Sequence, residues 1–378
     1  MSRIVSAAAA MLLVCTLCLA ADQSERQFGP FRYVAIDDGV QINGLAKSAT
    51  RLSIPDTIAG EQVIGIRDRA FENRKDIKAA ALPNSFTTVQ DWSFYLCGNM
   101  TSFRFPANLK SVGVGAFASC FSLKTLDFPE SLESIAPWAF GLCSSIETVT
   151  IPDSVTSIGF DAFDSCFALK EVTLSNQLGD IADRLFYHCE NLPGVEIPES
   201  VQKIGSGAFE GCLKLESIEL PASVKEIGPC AFSECESLSS VTLNEGLEKI
   251  GIDAFAGCVK LETIDIPATV KEFGSRCFHD CVGLKEINVA EGSDSFKSVD
   301  GVLFTADGKT LLRYPAGNER TEYTVPDGVE RIEKSAFARA VNLESVTVPA
   351  SARIGKFAFY GCSENLNVNG QKVTGQAQ

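Results

Sequence analysis

The chain has 378 residues, of which 45% are hydrophobic and 21% charged, with a formal net charge of -15. That acidity excludes nucleic acid as the default partner, because phosphate binding needs a basic surface. Two histidines in the whole chain leave little material for acid–base chemistry near neutral pH.

Residues 1–20 read as an export signal. Arg3 supplies the positive start, Ile4 to Leu19 is an uncharged run, and Cys18-Leu19-Ala20 offers a cleavage site after Ala20. A lipid anchor on Cys15 or Cys18 is not favoured, since Val14 and Leu17 stand where such signals carry a small residue. No second apolar segment is long enough to span a bilayer, so the mature protein is expected to be secreted or held at the cell surface. Residues 21–50 come next as a cap. There, "FRYVAIDDGVQI" places two alternating runs around Asp37-Asp38-Gly39, which predicts a β-hairpin closing the N-terminal end of residues 51–362.

From 51 to 362 the chain repeats itself. Phe71, Phe94, Phe117 and their successors to Phe278 are spaced by 23 residues, and Phe337 and Phe359 resume the series. Three residues after most of them stands a cysteine, from Cys97 to Cys281 and again at Cys362. One unit runs Leu215, Ile218, Leu220-Pro221, Ser223-Val224, Ile227, Ala231-Phe232, Cys235. Ile218 and Leu220 alternate with Ser217 and Glu219, the period of a strand with one buried face. Pro221 ends the ladder, and the later apolar residues bring the chain back. So small a unit cannot bury its own apolar face, so the units must stack. Stacking turns the repeated Phe into a column of rings, with Ala beside it leaving space and Cys filling the remainder.

The unit resembles the leucine-rich repeat, through Leu215, Ile218, Leu220 and Ser223. With Pro after the strand and Ala-Phe-x-x-Cys on the return, it is similar to the BspA-like, treponemal subclass, over about Arg51 to Cys362. The resemblance implies an α/β but strand-dominated fold. The expected form is a right-handed solenoid with a parallel concave sheet and short helical or irregular convex segments. It also implies an adhesin-like binding protein without catalysis or cofactor.

One coil breaks the period. Between 291 and 325 it is longer and lacks the Ala-Phe-x-x-Cys phrase, and Asp307-Gly308 between two apolar runs predicts a second hairpin. Phe304 and Tyr314 on it are candidate aromatic anchors for a partner. Residues 363–378 read as a partial strand at Leu366 and Val368, then a frayed end.

Chemistry is sparse. The cysteine column is expected as buried free thiols, because stacked equivalents have parallel Cα–Cβ vectors and a disulfide needs converging ones. Cys277-x-His279-x-Cys281 is the one tight metal-like cluster, and it lacks a second compact pair, so no metal is expected. The candidate contact residues form an outward column on the strand face: Asp127, Thr150, Thr173, Glu196, Glu219, Thr242 and Asp265. A protein or glycan on another cell or matrix is the expected partner, and a monomer the expected state. Two other readings stand beside this one: a carboxylate-dependent glycan-active enzyme, and a purely structural envelope protein.

Overall fold

The computed structural model describes residues 24–373; the export segment and the final residues 374–378 lie outside them. Each coil of the repeat has three legs. The first is a short strand such as Ser217–Glu219, whose middle residue is buried and whose flanks are exposed. It pairs in parallel with the same segment of the next coil, Ser217 with Ser240 and Glu219 with Thr242. Pro221 comes next, and its missing N–H stops the ladder there.

The second leg is a strand of two residues. Lys203–Ile204, Glu226–Ile227 and Lys249–Ile250 pair in parallel and form a second sheet whose aliphatic residues face the core. Its longest runs have five strands, whereas the first sheet is divided into pieces of two to four.

The third leg takes the irregular of the two expected forms. Among the described residues there is no helix, and the return consists of consecutive turns. Two residues per coil are left-handed: Trp92 (φ 56°) and Leu96 (φ 60°), Trp138 (61°) and Leu142 (62°), Arg184 (54°) and His188 (52°). A residue in that conformation cannot continue a right-handed helix, and outside glycine it costs about 1–2 kcal/mol. The cost is offset by bonds between coils. Trp92, Phe94 and Leu96 donate their N–H groups to Val114, Ala116 and Ala118 of the next coil, at 2.8–2.9 Å. The N–H groups between them close local turns, as from Tyr95 to the Trp92 carbonyl (3.1 Å). The return leg thereby adds a third set of bonds between coils, beside those of the two sheets.

The core lies between the legs. The rings stack face to face, 5.2 Å apart for Phe71 and Phe94, 5.4 Å for Phe209 and Phe232, and 5.9 Å for Phe255 and Phe278. The thiols do more than fill space. Cys97 donates to the Phe71 carbonyl of the preceding coil (3.1 Å), Cys143 to Phe117 (3.2 Å) and Cys212 to Phe186 (3.2 Å). The bond repeats through Cys281 and returns at Cys362, which donates to Phe337. Burial pushes the Cys143 thiol up to about 12, so it keeps the proton it donates.

At the N-terminal end, Phe31–Ile36 and Gly39–Leu45 pair antiparallel around Asp37-Asp38. Gly39–Leu45 then runs parallel to Glu61–Ile66, within a separate five-stranded sheet at this end. Gly39 has a φ of 148°, and a Cβ there would collide with the Gln62 carbonyl.

In the long coil, Phe296–Val299, Val302–Thr305 and Thr310–Arg313 form an antiparallel meander. Thr310–Arg313 also pairs in parallel with Arg331–Ile332, so the insertion is built into the second sheet. Phe304 and Tyr314 are not exposed anchors: they are 1% and 0% exposed. Tyr314 resumes the ring column by stacking on Phe337 at 5.1 Å, and its hydroxyl donates to Asn318 Oδ1 (3.1 Å). The aromatic residues are core because the coil must still supply a ring to the stack.

Candidate functional site

The strand face presents the expected column outward. Asp127, Thr150, Thr173, Glu196, Glu219, Thr242 and Asp265 are all exposed. The alternation explains it, since Val149, Val172 and Ile218 between them point into the core. Register brings Thr150 beside Thr173 and Glu219 beside Thr242. Asp265 accepts a hydrogen bond from Asn288 Nδ2 (2.9 Å) on the next coil. A parallel outward column runs alongside, with Thr148 beside Glu171 and Thr263 beside Glu286.

The column is not one continuous ladder. Asp127 and Glu196 lie on coils whose first leg is not a paired strand. At Glu196 the reason is local, because Pro193-Gly194 supplies no N–H at one position and no side chain at the next. At Asp127 the interruption opens a depression of about 320 Å³, lined by Thr125, Asp127, Phe128, Glu130, Thr148 and Thr150 among others. Glu130 was not among the expected contact residues. It follows Pro129, outside the alternating strand pattern, and only the bend of the chain brings it to the rim.

The charges at the border of this face are paired off between coils. Lys170 Nζ lies 2.9 Å from Glu147 and Lys285 Nζ 3.1 Å from Glu262, each pair just before a strand. The Lys170 hydrogen bond holds the Glu147 carboxyl below its usual range. The column from Asp127 to Asp265 therefore offers hydroxyls and carboxylates and no cation of its own. Such a surface accepts hydrogen bonds from a basic or hydroxyl-rich partner.

The Cys277, His279, Cys281 cluster is drawn into the core and the ladder. Cys277 is buried, and Cys281 donates to the Phe255 carbonyl at 3.0 Å with its thiol pushed up to about 12. His279 Nε2 lies 3.5 Å from Asp280, and burial lowers its pKa, which keeps it neutral at pH 7. Among the described residues no three His, Cys, Asp or Glu side chains group so as to hold a metal ion. Among them, too, no helix is long and apolar enough to cross a membrane.

A family model described as BspA type leucine rich repeat region matches residues 48–170, 156–285 and 316–374. No curated protein matches the chain. Among solved structures, the chain is similar to a leucine rich cell surface protein from Faecalibacterium prausnitzii A2-165. The identity is 26%, covering 91% of this chain and 76% of that one, with a TM-score of 0.38. A leucine-rich repeat protein from Bacteroides ovatus is 21% identical over 87% of this chain and 98% of that one, with a TM-score of 0.49. The T. pallidum leucine rich repeat protein is 24% identical over 63% and 91% of the two chains, with a TM-score of 0.40.

Proposed function

The chain belongs to the BspA-type leucine-rich repeat family, and from that premise we propose that it is a secreted or surface-exposed binding protein. It recognises a protein or glycan on another cell or matrix through the strand face, without catalysis, metal or cofactor. Residues 1–20 direct its export in this reading. The observation that supports it is the face itself. Seven polar side chains from Asp127 to Asp265 stand exposed on successive coils, with the depression beside Asp127 at one end. An extended repetitive surface of this kind buries a large partner area without needing a deep pocket.

Binding of the mature chain to immobilised matrix proteins and to a glycan array supplies the assay. Changing Asp127, Glu196, Glu219 and Asp265 together to Asn or Gln is expected to weaken binding by at least about tenfold at low salt. The difference should shrink at high salt, since exposed charges are screened within about 8–10 Å at physiological ionic strength. Shortening the Asp307-Gly308 turn is expected to leave binding intact. A folded four-site variant that binds as well as the parent would move the site off this face.

A further inference from the structure

The two ends of the stack are finished differently. At the C-terminal end the first sheet is closed by an antiparallel hairpin, Asn367–Val368 with Gln371–Lys372. The second sheet is not closed. Its last strand, Arg353–Ile354, pairs with Arg331–Ile332 on one side and, among the described residues, with no strand on the other. Ile354 is 49% exposed, whereas its equivalents Ile204, Ile227 and Ile332 are 0% exposed. The opposite end is finished by the antiparallel edge strand Arg26–Phe28, on which Phe28 is 53% exposed, while Leu52 on the first strand of the first sheet is only 3% exposed. The ring column also ends here: Phe359 stacks on Phe337 at 5.0 Å and is only partly buried. Phe357 and Tyr360 beside it are 42% and 36% exposed.

Charge says what would fit. In the run of the second sheet from Asp180 to Glu272 the outward residues alternate in sign. Lys203 and Lys249 flank Glu226 at 3.6 and 3.4 Å, and Glu272 lies 3.8 Å beyond Lys249. At the open edge the alternation fails, for Arg353 is registered directly beside Arg331. Like charges side by side on neighbouring strands destabilise, and an acid on the next strand would relieve them. Arg331 has Glu333 at 3.0 Å, but Arg353 and Lys356 have no ion pair among the described residues.

We propose that the open edge at Arg353–Ile354 is a docking site for an extended segment of another protein. That segment carries an acidic residue followed by an aliphatic one, with an aromatic residue a few positions later. It would add to the sheet as one more coil does, its backbone extending the ladder, its acid meeting Arg353, and its aliphatic and aromatic residues covering Ile354 and Phe359. A second copy of this chain is the poorer occupant. Two-fold pairing of this edge with itself would bring Arg353 and Lys356 of both copies together. This site is separate from the strand face.

The protein's own interior supplies a probe. Residues 222–232 place Glu226 on Lys203, Ile227 on Ile204 and Phe232 on Phe209 in the stack. A fluorescent synthetic peptide of that sequence, with Cys230→Ser, is titrated with the full chain and read by anisotropy at low salt. Saturable binding is expected, weakened about tenfold when the peptide carries Glu226→Lys. Arg353→Glu in the protein should weaken the original peptide similarly and restore the Glu226→Lys peptide. Ile354→Asp should abolish binding of both while leaving the far-ultraviolet spectrum unchanged. No saturable binding by the folded chain would overturn the proposal and leave the two cations as guards of an exposed edge. Equal binding of the two peptides would overturn the charge rule. A dimer that Ile354→Asp disperses would assign the edge to a second copy.

Discussion

The regular coils from Phe71 to Cys281 and the long coil at 291–325 solve the same packing problem with different residues. In a regular coil the ring is Phe, and the preceding carbonyl is met by a thiol, as Phe186 is met by Cys212. In the long coil the ring is Tyr314, and the Phe278 carbonyl is met by Arg313 Nη2 at 2.9 Å. Arg313 also donates to Ser335 (2.7 Å) and Ala338 (3.3 Å), and it is 5% exposed. Its cation has no carboxylate bonded to it, only carbonyl oxygens, and burial lowers its pKa. The core divides at the same place, one cluster running from Phe31 to Leu303 and a second from Val302 to Leu366. What the stack demands at each level is thus a ring of given thickness and a donor at a given point. The regular coils meet the second demand with an uncharged group, and the long coil with a buried cation that also joins two cores.

The largest expected separation of the two designs is by pH. The Cys97 and Cys143 thiols are held protonated to about 12, against 9.0 when unfolded. Over that interval the folded state binds more protons than the unfolded one. The contribution is therefore intact below about 9 and is lost as pH rises towards the folded value. Each such thiol costs about 1.4 kcal/mol of stability per pH unit in that window. With the column acting together, thermal unfolding under reducing conditions should shift steeply downward above pH 9. Replacing Cys97, Cys143 and Cys166 with Ala should flatten that slope.

Removing a ring tests the shared element. Phe209→Ala leaves a gap between two stacked neighbours and is expected to cost about 3–5 kcal/mol. Tyr314→Phe keeps the ring and should cost only about 1 kcal/mol, for the lost bond to Asn318. Denaturant titrations of the two variants compare them directly.

Arg313→Met tests the joint. It takes a donor from three carbonyls, of which Phe278 and Ser335 keep a backbone N–H partner (from Cys281 and Ala338), so it is expected to cost about 1–3 kcal/mol, the range for one buried group left unpaired. It should also split unfolding into two transitions, with the second cluster melting first. A single transition, shifted by the same amount at every probe, would show that the two cores remain coupled without it.

The smallest effect belongs to the surface zipper. Lys249→Met removes contacts to Glu226 and Glu272 and should change stability by about 0–1 kcal/mol. The change should vanish in high salt, whereas the Phe209 and Arg313 effects should persist.

Much of this was legible in the residues. A period of 23, a ring and a thiol at fixed offsets, and strand alternation at Ile218 and Leu220 require stacked coils, because no single coil buries its own apolar face. Asp37-Asp38-Gly39 and Asp307-Gly308 marked their turns locally. The outward column was legible too, since alternation alone determines which side chains leave the core.

What the tertiary structure alone decided depends on neighbours in space. A strand of two residues such as Glu226–Ile227 has no period to read, and it exists because the coils on both sides pair with it. Left-handed Trp92 and Leu96 carry no glycine signature, and the bonds to Val114 and Ala118 hold them there against their own preference. Arg313 reads as a surface residue by type. It is inside because the Phe278 carbonyl, 35 residues earlier, needs a donor where the column has lost its thiol.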